Sequence, residues 1–263
     1  GDGYRFANQL GLSVKQPQPS LVPFSVAESW PLELQGLSLK NVAIRLENLE
    51  RGVAGPAGRA GKKKKRPVYE GFGEMLFTHF GVSGPLILSA SCHADFEEHP
   101  EGFALHLDLK PAMTQEELER RLEREFTLQP RKELRNALKA LLPERLAMLS
   151  AQLFAASLEN PSAEGGADRP VYTLNEKELR LLAAFLKDLT MTVTGTRGFA
   201  EAIVTKGGVS VKEINPSTME TRGIKGLYWA GEVLDVDAYT GGFNLQIAWS
   251  TGHLAGASAC EED

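Results

Sequence analysis

Residues 226–252, GLYWAGEVLDVDAYTGGFNLQIAWSTG, combine residue types and spacings that could do chemistry. Leu227, Tyr228, Trp229 and Ala230 form a short apolar and aromatic run that predicts a buried strand. Gly231 and Glu232 end the run, a turn rich in Asp and Gly follows, and Gly241 and Gly242 open an apolar helix predicted over residues 243–256. A strand feeding a glycine-rich helix start can seat a cofactor. The free N–H groups and the positive end of the helix dipole favour negative charge, and glycine lets a ligand reach the backbone. Glu232, at the carboxyl end of the predicted strand, is placed to accept hydrogen bonds from ligand hydroxyls. Spacing alone leaves a plainer reading open, because many strand–helix units with a Gly-rich turn bind nothing.

Other residues give weaker signals. Asp235 and Asp237 could neighbour a ligand, but Asp is common in turns and a turn role is the better reading. His79 and Ser83 precede Gly84 and Pro85, a reasonable helix start with Ser83 as its cap. His93, His99, His106 and His253 show neither metal-ligand spacing nor a nucleophile constellation, and no Ser–His–Asp set or catalytic carboxylate pair is defensible. The stretch Gly55 to Lys62 has the look of a phosphate loop, but its glycine spacing is off by one. Lys63 also stands where a Ser or Thr would bind magnesium. Cys92 and Cys260, the two cysteines, are far apart and not spaced as metal ligands, which suggests reduced thiols and a cytoplasmic setting.

The wording of residues 226–252 closely resembles the C-terminal FAD-binding segment of the bacterial aminoacetone-oxidase-type NAD(P)/FAD-dependent oxidoreductases. Residues 202–209, AIVTKGGV, and 213–219, EINPSTM, resemble the approach to that segment. Residues 73–85, GEMLFTHFGVSGP, resemble a motif of the family's inserted domain. Gly1 to Tyr4 with Leu10 and Gly11 resemble the point where the chain leaves the first half of the FAD domain. The resemblance implies FAD as cofactor, an amine-like or other small substrate, and NAD(P)H as a compatible electron donor. It places Gly231 and Glu232 along the ribityl and pyrophosphate part of FAD. It places Thr240, Gly241, Gly242, Phe243 and Asn244 beside the flavin pyrimidine edge, where helix-end amides would stabilise negative charge on reduced flavin. Ala238 stands where the family has glycine. The G-x-G-x-x-G unit that grips the ADP half of FAD is missing, since Gly71 and Gly73 are followed by Glu74, Met75, Leu76 and Phe77. The expectation is therefore the C-terminal part of a larger flavoprotein, whose partner is the missing N-terminal FAD-binding segment and which alone holds FAD poorly. A rival reading is a non-catalytic interaction module derived from a flavoprotein.

The elements needed to position such a site can also be read. Residues 3–12 read as a helix end stopping at Gly11, and Pro17, Pro19 and Pro23 as a stiff domain crossing. Leu37 and Leu39, then Val42, Ile44 and Leu46, give two short alternating runs, and Phe103, Leu105, Leu107 and Leu109 a third. Thr114 with Glu117 predicts a capping box, Pro143 a new helix, and either Thr173 with Glu176 or Asn175 with Glu178 a further cap. The stretch between Glu50 and Pro67, with its basic run from Lys62 to Arg66, reads as a solvated loop rather than an anion site.

These readings define an α+β multi-domain chain: a strand-rich, barrel-like inserted domain with a helical subdomain, plus the C-terminal part of a Rossmann-like FAD-binding domain. Residues 1–16 would end the first FAD segment. Residues 17–195 would be inserted (17–110 and 189–195 barrel-like, 111–188 helical), and 196–263 would be the C-terminal FAD segment. The 42% hydrophobic and 24% charged content suits a soluble globular chain. The net charge of −5 argues against a nucleic-acid-binding surface over the whole protein, and no apolar run approaches the roughly 20 residues of a membrane span.

Overall fold

The computed structural model describes residues 1–49, 66–158 and 166–260. The basic run from Lys62 to Lys65 and the phosphate-loop lookalike lie outside the described residues. In chain order the elements are α1 (Asp2–Gln9), β1 (Val14–Ser20), β2 (Phe24–Val26), α2 (Trp30–Glu33), β3 (Ser38–Asn48), β4 (Tyr69–Phe77), β5 (Gly81–Ser83), α3 (Pro85–Ser91) and β6 (Phe103–Asp108). Then follow α4 (Gln115–Leu128), α5 (Leu134–Ala137), α6 (Glu144–Ser157), α7 (Glu176–Lys187), β7 (Leu189–Thr196), β8 (Val204–Val209) and α8 (Phe243–Cys260).

Six strands close a barrel in the order β2, β5, β4, β3, β6, β7. The period-2 pattern explains it: β6 alternates buried Phe103, Leu105 and Leu107 with half-buried Ala104, His106 and Asp108. Leu105 lies opposite Leu46 of β3 and Met191 of β7, and all three are fully buried, forming one layer of the barrel interior. The two short runs expected at residues 37–39 and 42–46 are one strand, β3. An irregularity between Leu39 and Val42 shifts its register against β4, so the two halves read as separate in sequence.

The chain divides into two compact units, Val26–Val82 with Glu97–Thr194, and Gly1–Ser25 with Ser83–Phe96 and Gly195–Asp263. In the first, helices α4 to α7 bury Leu118, Leu122, Phe126, Leu146, Phe154, Leu182 and Leu186. The Thr114 capping box forms as expected. Of the two alternatives further on, Asn175 and Glu178 make the box. Thr173 instead donates its hydroxyl to the Pro170 carbonyl and receives Nε of Arg169.

In the second unit, β1 and β8 pair antiparallel, away from the barrel ladder. Their apolar residues join a cluster built from Ala7, Leu12, Val209, Ile214, Met219, Trp229, Leu234 and Ala255. Ser83 does not cap α3. Gly84 occupies the cap at φ +95° with no side-chain bond, and Pro85 begins the helix as a residue needing no N–H partner there. The buried strand expected at residues 227–230 is not formed. Tyr228 makes a single bridge to Glu220, and no strand among the described residues lies beside the run to give it a ladder. Trp229 is still buried as the aromatic run predicted, its indole Nε1 donating to Thr221 Oγ1 at 3.0 Å. A Rossmann-like sheet is therefore not seen among the described residues.

Candidate cofactor-binding segment

Gly231 starts a single 3-10 turn over Gly231–Val233, at φ +74°. Its amide donates to Thr251 Oγ1 at 3.0 Å, and that hydroxyl donates in turn to the Ile247 carbonyl at 2.7 Å. The turn is thereby stapled to α8, twenty residues on in the chain. Behind it, Gly208 runs so close that a Cβ there would sit 2.5 Å from the Val233 carbonyl oxygen. Only glycine allows β8 to approach the turn in this way, which gives Gly208 a physical reason, while a Cβ on Gly207 would sit 2.5 Å from the Gln16 carbonyl oxygen of β1. The Glu232 carboxylate is exposed, and its backbone carbonyl accepts from the Tyr4 hydroxyl at 3.3 Å.

The two turn aspartates are committed to structural partners. Asp235 pairs with Lys15 at 2.7 Å, and its hydrogen bond and charge hold the Lys15 ammonium above its ordinary pKa. Asp237 accepts the fully buried Ser20 hydroxyl at 2.6 Å. Cys92 lies 3.3 Å from the same hydroxyl, and burial pushes its thiol pKa up, so it stays protonated and poorly nucleophilic.

The loop that follows is clamped at its ends. Asn244 accepts the Ala238 amide at 2.9 Å through Oδ1 and donates Nδ2 to the Ala238 carbonyl at 2.8 Å. Tyr239, Thr240, Gly241, Gly242 and Phe243 lie inside this closed loop. Gly241 and Gly242 take φ +115° and +86°, a region costly for residues with a Cβ. The Gly242 carbonyl accepts the first intrahelical bond of α8, from Gln246 at 3.0 Å. The amides of Phe243, Asn244 and Leu245 therefore have no acceptor within the helix. No acidic residue lies in that first turn. Tyr239 points its hydroxyl at His93 Nε2, 2.6 Å away.

The structure thus brings Thr240, Gly241, Gly242, Phe243 and Asn244 together at one helix start and ties Gly231 and Glu232 to the same helix. Both ends of the Asn244 carboxamide are used on Ala238. Sequence reasoning missed Ser20, Lys15 and the His93–Tyr239 pair, which come from segments 146 to 220 residues away and leave no local pattern. A groove of about 520 Å³ lies in the other unit, lined by Phe126, Tyr172 and Leu179 with Glu119, Glu123 and Arg180. It holds no thiol or imidazole. No cluster of three metal-ligating side chains occurs among the described residues.

A closed six-stranded barrel with a helical excursion between its strands β6 and β7 defines the class of this protein. The chain belongs to the HI0933-like protein barrel and H2TH domain family, whose model matches residues 18–204. It is 33% identical over 261 residues to the ribosomal RNA dihydrouridine synthase of Escherichia coli (strain K12), covering 99% of this chain and 55% of that protein. It is 31% identical over 258 residues to the ribosomal RNA dihydrouridine synthase of Haemophilus influenzae, covering 97% of this chain and 55% of the relative. It is 28% identical over 262 residues to the 3-dehydro-bile acid delta(4,6)-reductase of Clostridium scindens, covering 99% and 58%. The chain spans about half the length of the curated relatives it matches.

Proposed function

We propose that this chain supplies the isoalloxazine-end half of an FAD site in a flavin-dependent oxidoreductase. The observation that carries this reading is the clamped loop of residues 238–244. It delivers two positive-φ glycines and unpaired first-turn amides to the start of α8, with the Gly231 turn stapled alongside. The fit to a flavin is good on two counts. The first turn of α8 carries no acidic residue among its free backbone donors, and a Cβ built on Gly242 would meet nothing within 4 Å, so the approach is open. Bound there, FAD would supply hydride chemistry. The chain's amides would bind its pyrimidine edge, and Glu232 would accept from a ribityl hydroxyl.

The direction of hydride flow follows from the relatives' names. Making dihydrouridine and reducing a delta(4,6) bond of a 3-dehydro bile acid both saturate a carbon–carbon double bond conjugated to a carbonyl. On that ground the substrate is an α,β-unsaturated carbonyl compound, reduced by flavin that NAD(P)H has recharged. Amine oxidation, carried by the motif resemblance to aminoacetone oxidases, is the second reading. The ADP half of FAD would be gripped by a separate FAD-binding segment. That segment would pack on α8, where Phe243, Leu245 and Trp249 are 59%, 56% and 66% exposed.

Purification of the full-length protein tests this. Flavin should co-purify at about one per chain and be bleached by NAD(P)H. Unmodified ribosomal RNA or a 3-keto-Δ4,6 steroid should restore its absorbance without oxygen. Restoration by oxygen together with amine-driven bleaching would favour the oxidase. Absence of flavin would leave the interaction module.

A further inference from the structure

Saturating a double bond needs a proton as well as a hydride, and the protein must deliver that proton to the carbon beside the carbonyl. Around the candidate flavin edge, most groups able to release one are already spoken for. Asp235 is the anion of an ion pair with Lys15, and Asp237 accepts the buried Ser20 hydroxyl. The Cys92 thiol is half-buried against the Ser20 hydroxyl. Tyr239 differs. It is 45% exposed, it sits within the clamped loop four residues before the helix begins, and its phenol is hydrogen-bonded to His93 Nε2 at 2.6 Å. His93 is itself exposed and in reach of water. The clamp on Ala238 fixes the residue just before Tyr239, so the phenol projects from a rigid base rather than a loose loop.

We propose that Tyr239 is the proton donor of the reductive half-reaction and that His93 positions it and resupplies its proton. The inference rests on the flavin-reductase reading above. With bound FAD supplying a hydride to the β-carbon of the conjugated substrate, the double-bond electron pair would move onto the α-carbon, and the Tyr239 O–H bond would break as the new C–H bond forms there. The phenolate is reprotonated from the imidazole, which regains its proton from water. The substrate would gain H⁻ from the bound cofactor and H⁺ from Tyr239, and both side chains would return to their starting state. Phenol and imidazole are among the side chains suited to such general acid catalysis.

The test uses the full-length flavoprotein and measures its two half-reactions apart by rapid mixing. Tyr239→Phe should leave FAD content and NAD(P)H-driven bleaching unchanged. It should slow reoxidation by the 3-keto-Δ4,6 steroid or by unmodified ribosomal RNA about 100-fold or more. His93→Ala should slow the same step less and recover with added imidazole. Independently of turnover, Tyr239→Phe should move the side-chain nitrogen resonance of His93 in the oxidised holoprotein. A wild-type reoxidation rate in Tyr239→Phe, or an unmoved His93 resonance, overturns the assignment while leaving the reductase intact. A holoprotein that neither substrate reoxidises overturns the reductase reading and the assignment together.

Discussion

Asn244 shows how one side chain can serve a site without touching a ligand. Its carboxamide gives one acceptor and one donor to the two backbone groups of Ala238, and no other residue type of that length offers both. Asn244→Ala leaves a part-buried amide and carbonyl unpaired, at a cost of about 1–2 kcal/mol. Asn244→Asp keeps the acceptor but loses the donor, and should fall between. The expected outcome is a lower urea midpoint for Asn244→Ala and at least a tenfold weaker FAD affinity in the full-length protein, since an unclamped loop must be ordered on binding. Unchanged FAD affinity with a lowered midpoint would mean that the loop does not face the flavin. The clamp was not legible in sequence, because only the folded loop shows that Ala238 lies within reach of Asn244.

At the scale of elements, the start of α7 depends on one carboxylate with two duties. Glu178 closes the capping box by accepting the Asn175 amide at 2.9 Å, and it also receives Arg169 Nη1 and Nη2 at 2.9 and 3.0 Å. The Arg169 side chain is only 6% exposed, so losing its partner leaves a buried charge uncompensated. The Arg169 hydrogen bonds, helped by the Asn175 amide, hold the Glu178 carboxyl below the usual glutamate range despite an opposing push from burial. A carboxyl depressed in the folded state stabilises above its unfolded pKa of about 4.3, and that stability is lost as pH falls through the folded value. Glu178→Gln should therefore cost about 2–3 kcal/mol near neutrality. In urea titrations its deficit against wild type should narrow from about pH 5 downward as the wild-type carboxylate protonates. A deficit independent of pH would show that the ionised form contributes nothing beyond the cap.

On the scale of the whole molecule, α8 is the outstanding feature. Its Phe243, Leu245 and Trp249 are largely exposed, and Ala255 is the one buried residue of the helix among those described. Large apolar side chains exposed together mark a surface suited to contact with another polypeptide. In a chain that spans about half of its relatives' length, the polypeptide expected to cover α8 is the N-terminal segment proposed to grip the ADP half of FAD. The isolated 263-residue chain should then elute from gel filtration colourless or with only traces of flavin, whereas the full-length protein retains it. Tight stoichiometric flavin in the isolated chain would show that residues 231–244 suffice to hold the cofactor. No helix among the described residues is long and apolar enough to cross a membrane.

The sequence by itself determined what depends on local rules. Alternation in β6, the Thr114 box, the break at Pro143 and the glycine pair before α8 each rest on interactions within a few residues or on a strict period. The barrel was legible because inward-facing Leu105 and Leu107 recur at every second position. What only the tertiary structure decided depends on distant partners. These are the closure of six strands, the joining of β3 across its irregularity, the choice of Asn175 over Thr173, the loss of the strand at 227–230, and the meeting of His93 with Tyr239. A strand exists only when a neighbour supplies its hydrogen bonds, and a proton relay only when two loops arrive at one point. Neither condition is written in the residues that will meet it.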